Sequence, residues 1–207
     1  LMALTWSVRT RIGCLMSSTE RVGISPPCLS SIASLVSRYH RGMDADDLRL
    51  LRLAIDVAAR ARAAGNHPFG AVLTSGEGEV VLEAENTVIT DNDVTGHAEL
   101  NLVRKASGAF SQDQLGSMTL YSSTEPCAMC AGGIYWSGIG RVVYALSEAR
   151  LGEFTGADPE NPTMHLSAET VLNAGQRGIA VEGPADLPEA ADVHAGFWDP
   201  EREDHRG

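Results

Sequence analysis

Two short motifs constrain this chain more than anything else in it: His97-Ala98-Glu99 and, further on, Pro126-Cys127-Ala128-Met129-Cys130. Each follows a polar connection and opens a stretch of helical character. Cys127 and Cys130, at i and i+3, share one face of a helix start, where free N–H groups favour thiolates. A Cys-x-x-Cys alone occurs in redox sites and zinc ribbons, and a His-x-Glu is commoner still. Together they are specific, since composition would produce the combination by chance on the order of once in a million. If the three side chains share a metal, the fold must bring two helix starts together.

The residue types suit one chemistry. His97, Cys127 and Cys130 give zinc three protein ligands and leave a fourth tetrahedral position open, the pattern of catalytic rather than structural zinc. Two thiolates cancel the ion's charge, so a bound water stays less acidic than at an all-His site and needs a carboxylate to take its proton. Glu99 fits that role. On an ideal helix residues i and i+2 point about 200° apart, so Glu99 faces the same site only if His97 sits in an irregular first turn. Two other readings stand beside this one. A redox Cys-x-x-Cys would follow a strand closely in a thioredoxin-like unit. A structural zinc site would take a fourth ligand from His67, His165 or His194, residues that otherwise read as surface or satisfied polar groups.

The segments around these motifs alternate in type. Asp44, Asp46 and Asp47 cap a helix on which Leu48, Leu51, Ile55 and Ala58 recur at helical spacing, with Gly65 as its stop. Phe69–Leu73 and Val80–Ala84 read as strands around a Ser75-Gly76-Glu77-Gly78 hairpin turn. A helix over His97–Phe110, a strand over Met118–Ser122, a helix over Cys127–Trp136 and a strand over Arg141–Ala145 follow. Beyond Leu151 the signal weakens until a strand at Ile179–Glu182 and a helix at Glu189–Phe197. This alternation predicts a layered α/β sheet.

Composition narrows the function classes. The chain has 207 residues, 43% hydrophobic and 21% charged, which suits one globular domain. No apolar run reaches the ~20 residues of a membrane helix. Four Cys make no disulfide framework, so the expected setting is reducing and cytoplasmic. The net charge of −11 hides an asymmetry: residues 1–42 carry five Arg against the single Glu20, and the rest is strongly acidic with one Lys. A phosphate backbone would be repelled, so a nucleic-acid partner is disfavoured and a small neutral or cationic substrate, or a protein partner, is expected. Residues 1–42, rich in Ser and Arg and broken by Gly23, Pro26 and Pro27, have the composition of an organellar transit peptide. The preferred reading is a disordered or non-native extension ahead of Met43, with no role for Cys14 or Cys28. The folded domain is then 43–207, C-terminal helix included.

The His-x-Glu with Pro-Cys-x-x-Cys combination is a known signature of zinc-dependent nucleobase deaminases. From Asn66-His67-Pro68-Phe69-Gly70-Ala71-Val72 to about residue 156, the chain resembles the cytidine deaminase superfamily, in its branch of bacterial guanine deaminases and tRNA adenosine deaminases. The resemblance implies a three-layer α/β/α fold with a five-stranded mixed sheet, a homodimer, zinc on His97, Cys127 and Cys130, and proton transfer by Glu99. It also implies that Asn86 hydrogen-bonds the base, although a turn-forming Asn is as good a local reading. Gly132-Gly133-Ile134-Tyr135-Trp136 resembles a guanine deaminase run, which makes Trp136 a candidate pocket wall beside Tyr135. An ungapped comparison places Asp158 at the carboxylate that reads the base, with Glu153 as a rival; either could be a solvated loop acid. The expected activity is hydrolytic deamination of a free nucleobase or nucleoside, guanine first. Wobble-adenosine deamination in tRNA ranks below it, and a non-catalytic zinc module that binds a basic protein is the alternative from another class. The resemblance to guanine deaminases, whose C-terminal segments exchange between subunits, offers the same exchange here, but packing of the segment on its own sheet is preferred.

Overall fold

A computed structural model describes residues 42–199, apart from 157, 160, 163 and 186. The expected N-terminal extension therefore lies, but for Gly42, outside the described residues. The first helix, α1 (Ala45–Ala63), starts at Asp44, whose carboxylate accepts from the N–H groups of Asp46 and Asp47 while Asp47 returns a bond to the Asp44 N–H. That reciprocal cap satisfies donors the helix cannot. Strands β1 (Gly70–Thr74) and β2 (Val80–Glu85) form the expected hairpin. They are followed by α2 (Ala98–Ala109), the short α3 (Gln112–Leu115), β3 (Thr119–Thr124), α4 (Ala128–Ser137) and β4 (Arg141–Leu146). The chain then adds α5 (Glu148–Thr155), α6 (Ala168–Asn173), β5 (Ala180–Glu182) and α7 (Pro188–Asp192).

The strands make one mixed five-stranded sheet in the order β2-β1-β3-β4-β5. β1 is antiparallel to both its neighbours, and β3, β4 and β5 run parallel. Successive residues point to opposite faces, as a pleated strand requires. Ala71, Leu73, Leu120 and Val142 meet α2, α4 and α6 on one side. Val72, Tyr121 and Val143 meet α1, α5 and α7 on the other. The result is the three-layer α/β/α sandwich expected. Gly70 permits one of the closest approaches: a Cβ there would lie 2.4 Å from Ala54 O and Ala58 N of the α1 backbone.

The structure departs from expectation in the last third. α5 and α6 have no counterpart in the sequence reading, and α7 is shorter than the helix expected over Glu189–Phe197. Residues 193–197 form turns instead, although His194 and Phe197 are buried. Their helical spacing reflects burial rather than helix. No described helix is long and apolar enough to cross a membrane.

Candidate functional site

The amino end of β1 and the carboxyl ends of β2, β3 and β4 share one edge of the sheet, and the two motifs are delivered to it. His97 is the N-cap of α2 with an extended backbone (φ −65°, ψ 145°), and Cys127 is the N-cap of α4 with the same character (φ −61°, ψ 168°). Neither spends its side chain on capping. The irregular first turn that Glu99 requires is therefore present. α2 is tied to the end of β2 by Asn101, whose Nδ2 donates to Glu85 O, Gly96 O and Thr87 Oγ1.

His97 Nδ1 lies 3.6 Å from Cys127 Sγ and 3.5 Å from Cys130 Sγ. Zinc at its usual bond lengths to sulfur and nitrogen would set those atoms about 3.6 Å apart in a tetrahedron. The donor set and its spacing thus fit a zinc ion. Among the described residues this is the one cluster of three or more potential ligands, and neither His67, His165 nor His194 joins it as a fourth. His67 and His194 instead pack with Phe69, Phe197 and Trp198.

The protons follow the geometry. A hydrogen bond from Cys130, followed by one with His97, holds the Cys127 thiol down at about 4, with burial opposing. Its bond to Cys127, then burial, pushes Cys130 well up. A metal bound there would hold both sulfurs as thiolates. His97 is raised, chiefly by its bond to Cys127. Glu99 is buried at 5% exposure; its Oε1 accepts from Ser122 Oγ at 3.1 Å, and its Oε2 stands 3.6 Å from Cys130 Sγ. Burial first, then the Cys127 charge, raises its carboxyl above the usual range.

Asn86 is fully buried between Glu85 and Thr87. Its Oδ1 accepts from the Val88 N–H at 3.0 Å, so it does form the local turn. Its Nδ2 has no hydrogen-bond partner among the described residues. Thr87 N bonds Gly96 O, so the backbone that follows Asn86 is tied to the backbone that precedes His97.

Trp136 and Glu153 are not brought to the cluster. Trp136 lies at the far end of α4, about 13 Å along the axis from Cys127, and is 74% exposed. Tyr135 packs partly buried against the core, and its hydroxyl accepts from Gln176 N. Glu153 pairs with Arg150 on the exposed side of α5. Asp158 lies in the turn after α5, where its N–H donates to Thr155 O. The sequence reading missed Ser122, which orients Glu99, and Glu148. Burial, then the charges of Cys127, Glu125 and Glu99, pushes the Glu148 carboxyl up to about 7. Ser122 was legible only through strand alternation, and Glu148 had no signal beyond its position after β4.

The C-terminal segment closes this edge from within its own chain. His194, Phe197 and Trp198 are nearly inaccessible, and His194 Nε2 meets Thr124 Oγ1 at 3.4 Å. Arg62 of α1 donates to the carbonyls of Val193 and Ala195 on either side of His194.

Residues 44–146 match the cytidine and deoxycytidylate deaminase zinc-binding region. The chain is 42% identical over 155 residues to a probable cytosine deaminase of Schizosaccharomyces pombe, covering 74% of this chain and 93% of that protein. It is 40% identical over 104 residues to a guanine deaminase of Bacillus subtilis, covering 50% of this chain and 66% of that protein. Among solved structures, a tRNA:A34 deaminase superposes with a TM-score of 0.56 at 28% identity, over 70% of this chain and 99% of the other. A guanine deaminase from Nitrosomonas europaea superposes with 0.59 at 22% identity, over 86% and 96%, a likeness of fold.

Proposed function

The chain belongs to the cytidine and deoxycytidylate deaminase family, and from that premise we propose that it hydrolyses the exocyclic amine of a free nucleobase, cytosine first. The observation that carries the reading is the buried Glu99 carboxylate 3.6 Å from one sulfur of the His97, Cys127, Cys130 cluster. These three residues would hold zinc. When bound, the ion supplies the Lewis acidity that makes a water nucleophilic near neutral pH. Glu99, oriented by Ser122 and raised by burial, takes a proton from the incoming water and returns it to the leaving amine. Water enters, ammonia leaves, and the amine-bearing carbon becomes a carbonyl. Asn86 offers its free Nδ2–H to a ring carbonyl, with its other end fixed by Val88.

Support for cytosine comes from the fission-yeast relative, which this chain matches over nearly its whole length. The C-terminal aromatics fill the same sheet edge, which favours a single ring over a polymer. Guanine is the second reading, favoured by the Bacillus relative at 40% identity. A further element of the reading is a homodimer: α4 carries no charged residue, yet it leaves Met129 and Trp136 exposed, and a helix apolar all round asks for cover. The deciding experiment incubates zinc-loaded protein with cytosine, guanine, adenine, their nucleosides and tRNA, and measures ammonia. Release from cytosine above the rest is expected. Release from tRNA alone, or from nothing on the panel, would overturn the proposal.

A further inference from the structure

The three residues of the ligand cluster are not held alike. Cys130 lies within α4, fully buried, with its backbone fixed by the helix ladder. His97 follows Gly96, whose carbonyl Asn101 of α2 ties to the end of β2. Cys127 is the N-cap of α4; its C=O joins the ladder by accepting from Ala131 N, but its N–H lies ahead of the helix. Where its sulfur sits therefore depends on the residues that lead into it. Pro126 has no N–H to contribute, and it restricts the residue before it to extended backbone. The anchoring falls to Glu125.

Glu125 follows Thr124, which ends β3 opposite Leu146 of β4. It is buried, and its N–H donates to Leu146 O at 2.7 Å, which carries the pairing of the two strands one bond further. Its carboxylate is divided between two helices. Oε2 accepts from the N–H of Glu148, the first residue of α5, and Oε1 from the N–H of Ala168, the first residue of α6, each at 3.0 Å. Helix-start N–H groups have no partner within their helix. Ser147 and Ser167 do not serve these two, because they accept from Arg150 and Thr170 instead. Hydrogen bonds to an ionised acceptor are the stronger kind, and a buried donor that loses its acceptor is costly. Main chain and side chain together fasten Glu125 at three points, and the rigid Pro126 alone separates it from Cys127.

We infer that Glu125 is a positioning residue for the metal ligand Cys127. By fastening the turn between β3 and α4 to β4, α5 and α6, it keeps Cys127 Sγ at its 3.6 Å from His97 Nδ1 and so sets how tightly the cluster retains zinc. The inference rests on the reading of the cluster as a zinc site. Glu125→Gln keeps the volume but sets an NH2 group against one of the two N–H groups. Asp47→Asn is the comparison variant, because it disturbs the buried pair with Arg141 at the opposite end of the sheet. Both are made in the full chain, and zinc affinity is measured by competition with a chromophoric chelator. Glu125→Gln should bind zinc about 10- to 100-fold more weakly, whereas Asp47→Asn should match the wild type. Loaded with cobalt(II), Glu125→Gln should show less thiolate-to-metal absorption per bound ion, as one sulfur leaves its place. An unchanged zinc affinity, an equal loss in Asp47→Asn, or a full thiolate absorption would overturn the inference. If Glu125→Gln does not fold, the wild type decides. Zinc should slow hydrogen exchange at the Glu148 and Ala168 amides about tenfold, with Gly78 in the hairpin at the opposite end of the sheet as the reference. Slowing no greater than at Gly78 would overturn the inference. A wild type that takes up no zinc would overturn the reading of the site, and this inference with it.

Discussion

His194 should make this protein acid-sensitive in a calculable way. Its Nδ1 accepts from Trp198 Nε1 at 3.3 Å, which leaves Nε2 as the ring's donor toward Thr124 Oγ1 at 3.4 Å. Protonation would set an N–H at Nδ1 directly against the indole N–H. Burial, then the nearby Arg62 cation, accordingly pushes the ring down from 6.5 to about 4. A depressed folded pKa means that the unfolded chain binds the proton first. The stability His194 contributes is whole above pH 6.5 and is lost as pH falls toward 4. Between pH 7 and pH 5 the loss works out at ~2 kcal/mol. The assay is urea unfolding at both values for the wild type and for His194→Gln, which cannot take the proton. Other groups, including Glu148 with its opposite sign, titrate in both proteins and cancel in the comparison. The wild type should lose ~2 kcal/mol more than the variant. Parallel pH curves for the two proteins would refute the argument, because a buried neutral ring cannot then be the source of the acid sensitivity.

Other outcomes follow from the same geometry. Glu99→Gln should lower kcat by about 10²- to 10⁴-fold with zinc content unchanged, as read by ammonia release and metal analysis. Cys130→Ser should lose zinc in a dialysis that leaves the wild type loaded, since it removes one of three clustered donors. Gly70→Ala should cost about 1–3 kcal/mol in urea unfolding, because the atoms its Cβ meets are α1 backbone and cannot step aside.

Much of the molecule was legible in the sequence because its signals are local. Strand alternation separates Ala71 and Leu73 from Val72, and each face finds its own helices. The Asp44 cap and the two motifs name their helix starts outright, since a capping residue acts within a turn of itself. The site's ligand types could be read for the same reason: a metal donor set is a matter of chemistry, and here the chemistry sits in two short runs.

What the tertiary structure alone decided is everything held by partners distant in sequence. α5 and α6 are too short to announce themselves by periodicity, and the carboxylate that pins their first residues lies 23 and 43 positions earlier. The spacing of Ala190, His194 and Phe197 reads as helix, but those residues are buried by Arg62 and an aromatic cluster that includes Phe69, and the backbone between them turns. Trp136 is expected as a pocket wall only from the resemblance of residues 132–136 to a guanine deaminase run. α4 has no charged residue, so its own sequence carries no pattern to say which face meets the site, and the structure leaves Trp136 exposed. Asn86 could be a turn former or a binding group on local grounds. Only the packing around it shows one end of the amide fixed and the other left buried and free to bond.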